Sequence, residues 1–190
     1  MNKNNYIIGY GSLINFESQN ITGVSHWSKP IRLKNHSRSW TVAYDDLQFC
    51  AVGIYKNPGR CINAVLFSVE SIEVFDQREH GYYRSEVEQN DIQMWHSHDE
   101  IPIDGSIWVY YPLDEKKNFA SQNHFIWQSY LDVIMMGCLS ISEEYAIEFI
   151  KSTQQYNKNF VKNDRLDSKY IRALKQYDAM AIDQILKLIK

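Results

Sequence analysis

No run of about 18 consecutive apolar residues occurs in the chain, which leaves no candidate for a membrane-spanning helix. No basic excess occurs either: Lys and Arg number 20 against 23 Asp and Glu, for a net charge of -3. Affinity built on phosphate contacts needs a surplus of cations, so nucleic acid is not an expected partner. Cysteine is scarce. Cys50, Cys61 and Cys138 form no CxxC pair and no zinc-type spacing with histidine. Their odd count argues against a disulfide framework, and reduced thiols in a cytoplasmic protein are the expectation. The start, MNKNNYIIGYGSLI, lacks the longer apolar core and small-residue cleavage site of a secretory signal. Also missing are the GxSxG elbow of serine hydrolases, the P-loop lysine and the Rossmann glycine spacing.

What is present is apolar and aromatic mass. Hydrophobic residues make up 44% of 190 residues and aromatics 14%, including 13 tyrosines. That suffices for a packed core, and the length suits one domain over residues 1–190. Aromatic richness fits a strand-heavy core or a lined pocket.

The first two-thirds reads mostly as strands. PIRLKNHSRSWTVAY alternates in patches, with Ile31, Leu33, Trp40, Val42 and Tyr44 inward. KNPGR, with Pro58 beside Gly59, reads as a turn between the strands CAVGIY and CINAVLFSV. ESIEVFDQRE spaces Ile72, Phe75 and Glu79 for one helical face. GYYRSEVEQNDIQMW and GSIWVYYPL return to strands. After Pro112 the period is helical, through Ile126, Tyr130, Val133, Ile134 and Gly137. Ser142 is placed to cap a second helix, and a third carries Ile182, Ile185, Leu186 and Ile189. Strands followed by helices, without βαβ alternation, predict an α+β fold. Its sheet is expected to be mixed or antiparallel and curled towards a barrel.

Three stretches carry polar groups in usable patterns. YIIGYGSLI breaks an apolar run with Gly9 and Gly11. Glycine permits positive φ and close approach of a ligand to the backbone, and successive N–H groups in such a turn form an anion nest. An ordinary tight turn accounts for the same residues. FDQREHGYYR sets Asp76, Arg78, Glu79 and His80 among Phe75, Tyr82 and Tyr83. A solvated charge run is the plainer reading. A carboxylate among aromatics, however, loses hydration, which raises its pKa and makes it a usable base near neutral pH. Spacing does not choose between Asp76 and Glu79, which share a helical face. WHSHDE holds His96, His98 and Asp99, but no third His or Cys stands nearby. A polar hairpin loop is favoured there, and no metal is expected.

GYGSL followed by FDQREHGYYRSEV resembles the gamma-glutamylcyclotransferase family, whose substrate loop and catalytic segment occur in that order. PIRLKNHSRSW and AVGIYKNPGRCINAVLFSV are similar to its strands, with Ala64 where a glycine is usual. YLDVIMMGCL, FIKSTQQY and NDR resemble its C-terminal helices in a bacterial and plant branch, so the likeness spans roughly residues 6–172. The resemblance implies a small barrel-like α+β fold with C-terminal helices packed alongside. It implies an enzyme that cleaves a γ-glutamyl amide to 5-oxoproline and a free amine. By motif match Glu79 takes the catalytic position, and Tyr10, Gly11, Ser12 and Leu13 the loop holding the γ-glutamyl group. Tyr130 and Tyr83 match pocket tyrosines more loosely.

That chemistry needs one base and preformed donors, so the resemblance implies neither metal nor cofactor, only a small γ-glutamyl substrate. The glutathione-degrading branch carries tryptophan soon after its loop leucine. Here the residue is Asn15, which leaves the leaving amine open among glutathione, other γ-glutamyl peptides and γ-glutamyl amines. Two rival readings stand beside the enzyme. One is a sensor that keeps the pocket and forms no product. The other is an interaction module built on Trp95, Trp108 and Trp127.

Overall fold

The structure is a computed structural model that describes residues 4–98, 100 and 104–188. Asp99 and Pro102 of the WHSHDE stretch and its continuation, and Ile189, expected on the last helix, lie outside the described residues.

Strand β1 (Asn4–Gly9) buries the consecutive residues Tyr6, Ile7 and Ile8. Such a run suits a central strand covered on both faces. The partners agree: β1 lies antiparallel to β3 (Phe49–Val69) and parallel to β6 (Gly105–Pro112). β2 (Ser28–Tyr44) and β3 form one long antiparallel hairpin. The KNPGR segment does not split β3 into two strands. Lys56 pairs with His36 and Cys61 with Lys34, so residues 57–60 bulge out of a continuous ladder. Gly59 supplies the bulge's left-handed residue at φ 78. A second register shift lies between Trp40 and Val42, and each such irregularity bends its strand.

The sheet runs β4 (Tyr82–Glu86), β6, β1, β3, β2, β5 (Ile92–Met94). A two-residue pair, β7 (Ile126–Trp127) with β9 (Val161–Lys162), stands apart, and β8 (Thr153–Gln154) lies parallel to β2. The fold is therefore α+β with a mixed sheet, as the order of periods predicts. Ile126 falls in β7 rather than on the following helix.

The helices are α1 (Phe16–Thr22), α2 (Glu73–Arg78), α3 (Gln128–Leu139), α4 (Glu143–Ser152) and α5 (Ala179–Lys187). α3 is buried on nearly every side. α4 starts where its sequence signal predicts, since the Ser142 side chain accepts from Tyr145 N at 3.1 Å. α5 turns Ile182 and Ile185 inward.

Arg38 ties the sheet to these helices. It is wholly buried and pairs with no carboxylate among the described residues. Its guanidinium donates to Thr153 Oγ1, Ser152 Oγ, Asn63 Oδ1 and the Asn63, Phe149 and Tyr10 carbonyls. A buried charge costs several kcal/mol in lost hydration, and this full set of acceptors offsets it. The Tyr10 bond fixes the chain where β1 gives way to the glycine loop.

Candidate active site

After Gly9 the chain turns through Tyr10 and Gly11 into a 3-10 turn, Ser12–Ile14. Gly11 has φ -128, outside the left-handed region. Glycine is required there for room instead. A Cβ would stand 2.7 Å from Val52 Cγ2 and 3.2 Å from the Tyr130 hydroxyl. The Gly11 N–H finds no acceptor among the described residues, and the N–H groups that open a helical turn lack intrahelical partners by construction. The loop therefore presents donors. Tyr10 turns inward and gives its hydroxyl proton to the Tyr110 carbonyl at 2.6 Å.

Glu79 caps the C-terminus of α2. Its side chain is 16% exposed, and Oε1 lies 3.0 Å from Arg78 Nε. The rest of the Arg78 guanidinium donates to Ser18 O at 2.7 Å, Thr22 Oγ1, Ser18 Oγ and, at 3.0 Å, Ser12 Oγ. One cation thus connects α1, the glycine loop and the carboxylate. Burial raises the Glu79 pKa, and the charges of Arg78 and Arg172 oppose the rise without cancelling it. Asp76 faces elsewhere. It receives Arg84 Nη1 at 2.7 Å and the Tyr110 hydroxyl at 2.8 Å. Geometry separates two carboxylates that spacing left equal.

Glu79 stands at the junction of two chambers. The inner one, about 30 Å³, is lined by Tyr10, Gly11, Leu13 and Val52. The outer one, about 160 Å³, is lined by Tyr44, Phe49, Trp127 and Tyr170. Ser12, Glu79, Tyr82 and Tyr130 line both. Burial drives the Tyr10, Tyr82 and Tyr130 phenols well above their ordinary pKa, so all three keep their protons.

Of the residues singled out in the sequence, Tyr10, Gly11, Ser12, Leu13, Glu79 and Tyr130 meet at this cavity. Tyr83 does not. It is 51% exposed and stacks on Tyr111 at 5.6 Å, outside the cavity. Successive strand residues face opposite ways, and β4 turns Tyr82 inward, where its hydroxyl donates to Val52 O at 2.9 Å. Alternation within GYYRSEV carried that signal. Nothing local marks Tyr170, whose hydroxyl reaches Ser12 Oγ at 2.9 Å.

By sequence the chain matches no protein-family model and no curated protein. By structure it matches solved proteins over nearly its whole length. A gamma-glutamyl cyclotransferase superposes with a TM-score of 0.59 at 16% identity, covering 96% of this chain and 98% of the other. The chain has the gamma-glutamyl cyclotransferase fold. An uncharacterized protein from Homo sapiens superposes with a TM-score of 0.61 at 14% identity, covering 97% and 99%. YkqA from Bacillus subtilis gives 0.59 at 15% identity over 79% of this chain, which spans 54% of that longer protein.

Within this gamma-glutamyl cyclotransferase fold, Asn15 has a structural task. Its side chain caps α1 by accepting from Ser18 N at 3.1 Å, and α1 in turn supplies acceptors for Arg78. Elsewhere the histidine loop stacks His96 on His98 with ring centroids 5.7 Å apart. No group of three potential metal ligands occurs among the described residues. Cys50 and Cys138 are buried free thiols and Cys61 is exposed. No helix among the described residues is long and apolar enough to cross a membrane.

Proposed function

We propose that the chain is a gamma-glutamyl cyclotransferase, converting a γ-glutamyl amide to 5-oxoproline and a free amine. One observation carries the reading: a buried carboxylate with raised proton affinity, Glu79, shares a cavity with the donor-rich loop Tyr10–Leu13.

The γ-glutamyl group lies at the junction of the two chambers, against Glu79 and the loop, with the inner chamber taking only its reacting end. Its α-amine gives a proton to Glu79 and attacks its own γ-carbonyl carbon, forming the ring C–N bond. The carbonyl π electrons move onto oxygen, and the loop N–H groups receive the oxyanion. Collapse re-forms the carbonyl and breaks the original amide C–N bond. Glu79 returns the proton to the departing nitrogen. Ring closure is intramolecular, so holding the substrate folded supplies much of the rate. The raised pKa makes Glu79 a stronger proton acceptor than an exposed carboxylate and leaves it able to return the proton.

The test is release of 5-oxoproline from γ-glutamyl dipeptides, glutathione and γ-glutamyl amines. Glu79→Gln is expected to lower turnover about a thousandfold while leaving the far-UV spectrum unchanged. Full activity in that variant would remove Glu79 from the mechanism. Saturable binding without product, in the unaltered protein, would favour the sensor.

A further inference from the structure

Phe49 joins the aromatic side chains that wall the outer chamber. It stacks on Trp127 with centroids 4.8 Å apart, meets Tyr130 edge-on at 5.0 Å and lies 6.2 Å from Tyr170. The rim continues this apolar surface with Leu47 and Ile171, which are 50% and 85% exposed. Side chains of this size left in water at a cavity mouth offer burial to whatever enters.

Charge at the same mouth has one sign in excess. Arg78 is consumed by Glu79, the loop and α1. Lys169 is paired with Asp167. Arg165, on the same irregular segment, is paired with Asp132 and Asp183. Arg172 lines the chamber and meets no hydrogen-bond or ion-pair partner among the described residues. Its half-buried guanidinium acts on the Glu79 carboxyl through space. The segment that carries it is fixed. Asp164 accepts from Ser129 N, Ser129 Oγ and Lys169 N, and Tyr170 is bonded to Ser12.

We infer that Arg172 and the Phe49–Trp127–Tyr170 wall select the leaving amine, and that it is an α-amino acid with a large apolar or aromatic side chain. The carboxylate of that residue meets Arg172, and its side chain lies on the rings. Simple γ-glutamyl amines, which lack the carboxylate, leave Arg172 unanswered. This inference rests on the cyclotransferase reading for which end of the substrate enters first.

The test compares γ-glutamylphenylalanine, its decarboxylated counterpart γ-glutamylphenethylamine, and γ-glutamylglycine. Binding is measured by calorimetry on the Glu79→Gln protein, and turnover on the unaltered one. The phenylalanine conjugate is expected to bind at least about tenfold more tightly than either comparison ligand, as a charge-assisted contact and a buried ring each warrant. Arg172→Gln should erase its advantage over the phenethylamine and leave the phenethylamine's own affinity unchanged. Lys169→Gln should preserve the preference. In turnover the lost contact should raise KM for the phenylalanine conjugate and not for the phenethylamine, measured above the acid limb of the pH profile because Arg172 also holds the Glu79 pKa down. Equal affinity for acid and amine, a preference that survives Arg172→Gln, or no binding of any conjugate would overturn the inference. Binding with the expected preference but no 5-oxoproline would instead overturn the cyclotransferase reading and leave the selectivity standing.

Discussion

Gly137 of α3 lies directly against the backbone of Asn15: a Cβ at Gly137 would stand 2.6 Å from Asn15 N and 2.8 Å from Asn15 Cα. Tyr130, two turns earlier on the same helix face, sets its hydroxyl beside Gly11. One buried helix therefore backs the loop at both Gly11 and Asn15. The loop's shape is imposed from behind, by a segment more than a hundred residues away.

Gly137→Ala tests this support. In a helix interior the change gains about 1 kcal/mol of propensity. Pressing a methyl group into backbone atoms costs about 1–3 kcal/mol, because backbone cannot rotate aside as a side chain can. The clash is expected to win, lowering Tm by a few degrees and activity along with it. A variant with raised Tm and full activity would show that α3 does not set the loop.

Arg78→Met removes the cation shared by Glu79, Ser12, Ser18 and Thr22. Arg78 holds the Glu79 pKa down against burial, so its loss should raise that pKa further. A base works only when deprotonated, so the acid limb of kcat/KM against pH should move to higher pH. A lower kcat with an unmoved limb would limit Arg78 to a steric role.

Stability carries the same electrostatics with a definite sign. The folded protein raises the Glu79 pKa above its ordinary 4.5, so between those two values it binds more protons than the unfolded chain. Its stability from this group is present below pH 4.5 and falls as pH rises through the raised pKa. Gln does not titrate. The Tm of Glu79→Gln should therefore gain on that of the unaltered protein as pH rises from below 4.5 through the raised pKa. A gap that moves the other way would mean that Arg78 outweighs desolvation.

Tyr82 and Tyr83 give a paired control. Tyr83→Ala alters an exposed ring outside the cavity and should leave kcat/KM within about twofold. Tyr82→Ala opens the junction beside Glu79 and should cost tenfold or more, on the order expected for a misplaced reacting group. Initial-rate measurements on the two variants decide it, and the reverse ranking would place β4 in the wrong orientation.

Much of this was legible in one dimension. Apolar periods announced the strand-rich first part and the later helices, and Ser142 marked the start of α4. GYGSL and FDQRE carried the loop and the carboxylate that meet at the cavity. The illegible parts share a cause. KNPGR has turn chemistry, yet the long β2–β3 ladder absorbs it as a bulge, because pairing on either side outweighs a local preference. Tyr83 and Tyr82 are adjacent and alike, and only the partner strand decides which one faces inward. Tyr170 and Arg172 sit in an irregular segment with no period to read.

By itself the sequence determined the chemical inventory: a glycine loop, a carboxylate among aromatics, and no set of residues spaced for a metal or covalent nucleophile. Which carboxylate is withdrawn from water, and what surrounds it, follows from how the chain folds. Proton affinity depends on lost water and on neighbours, and these neighbours are remote. Arg78 meets Ser12 across 66 positions and Tyr170 meets it across 158.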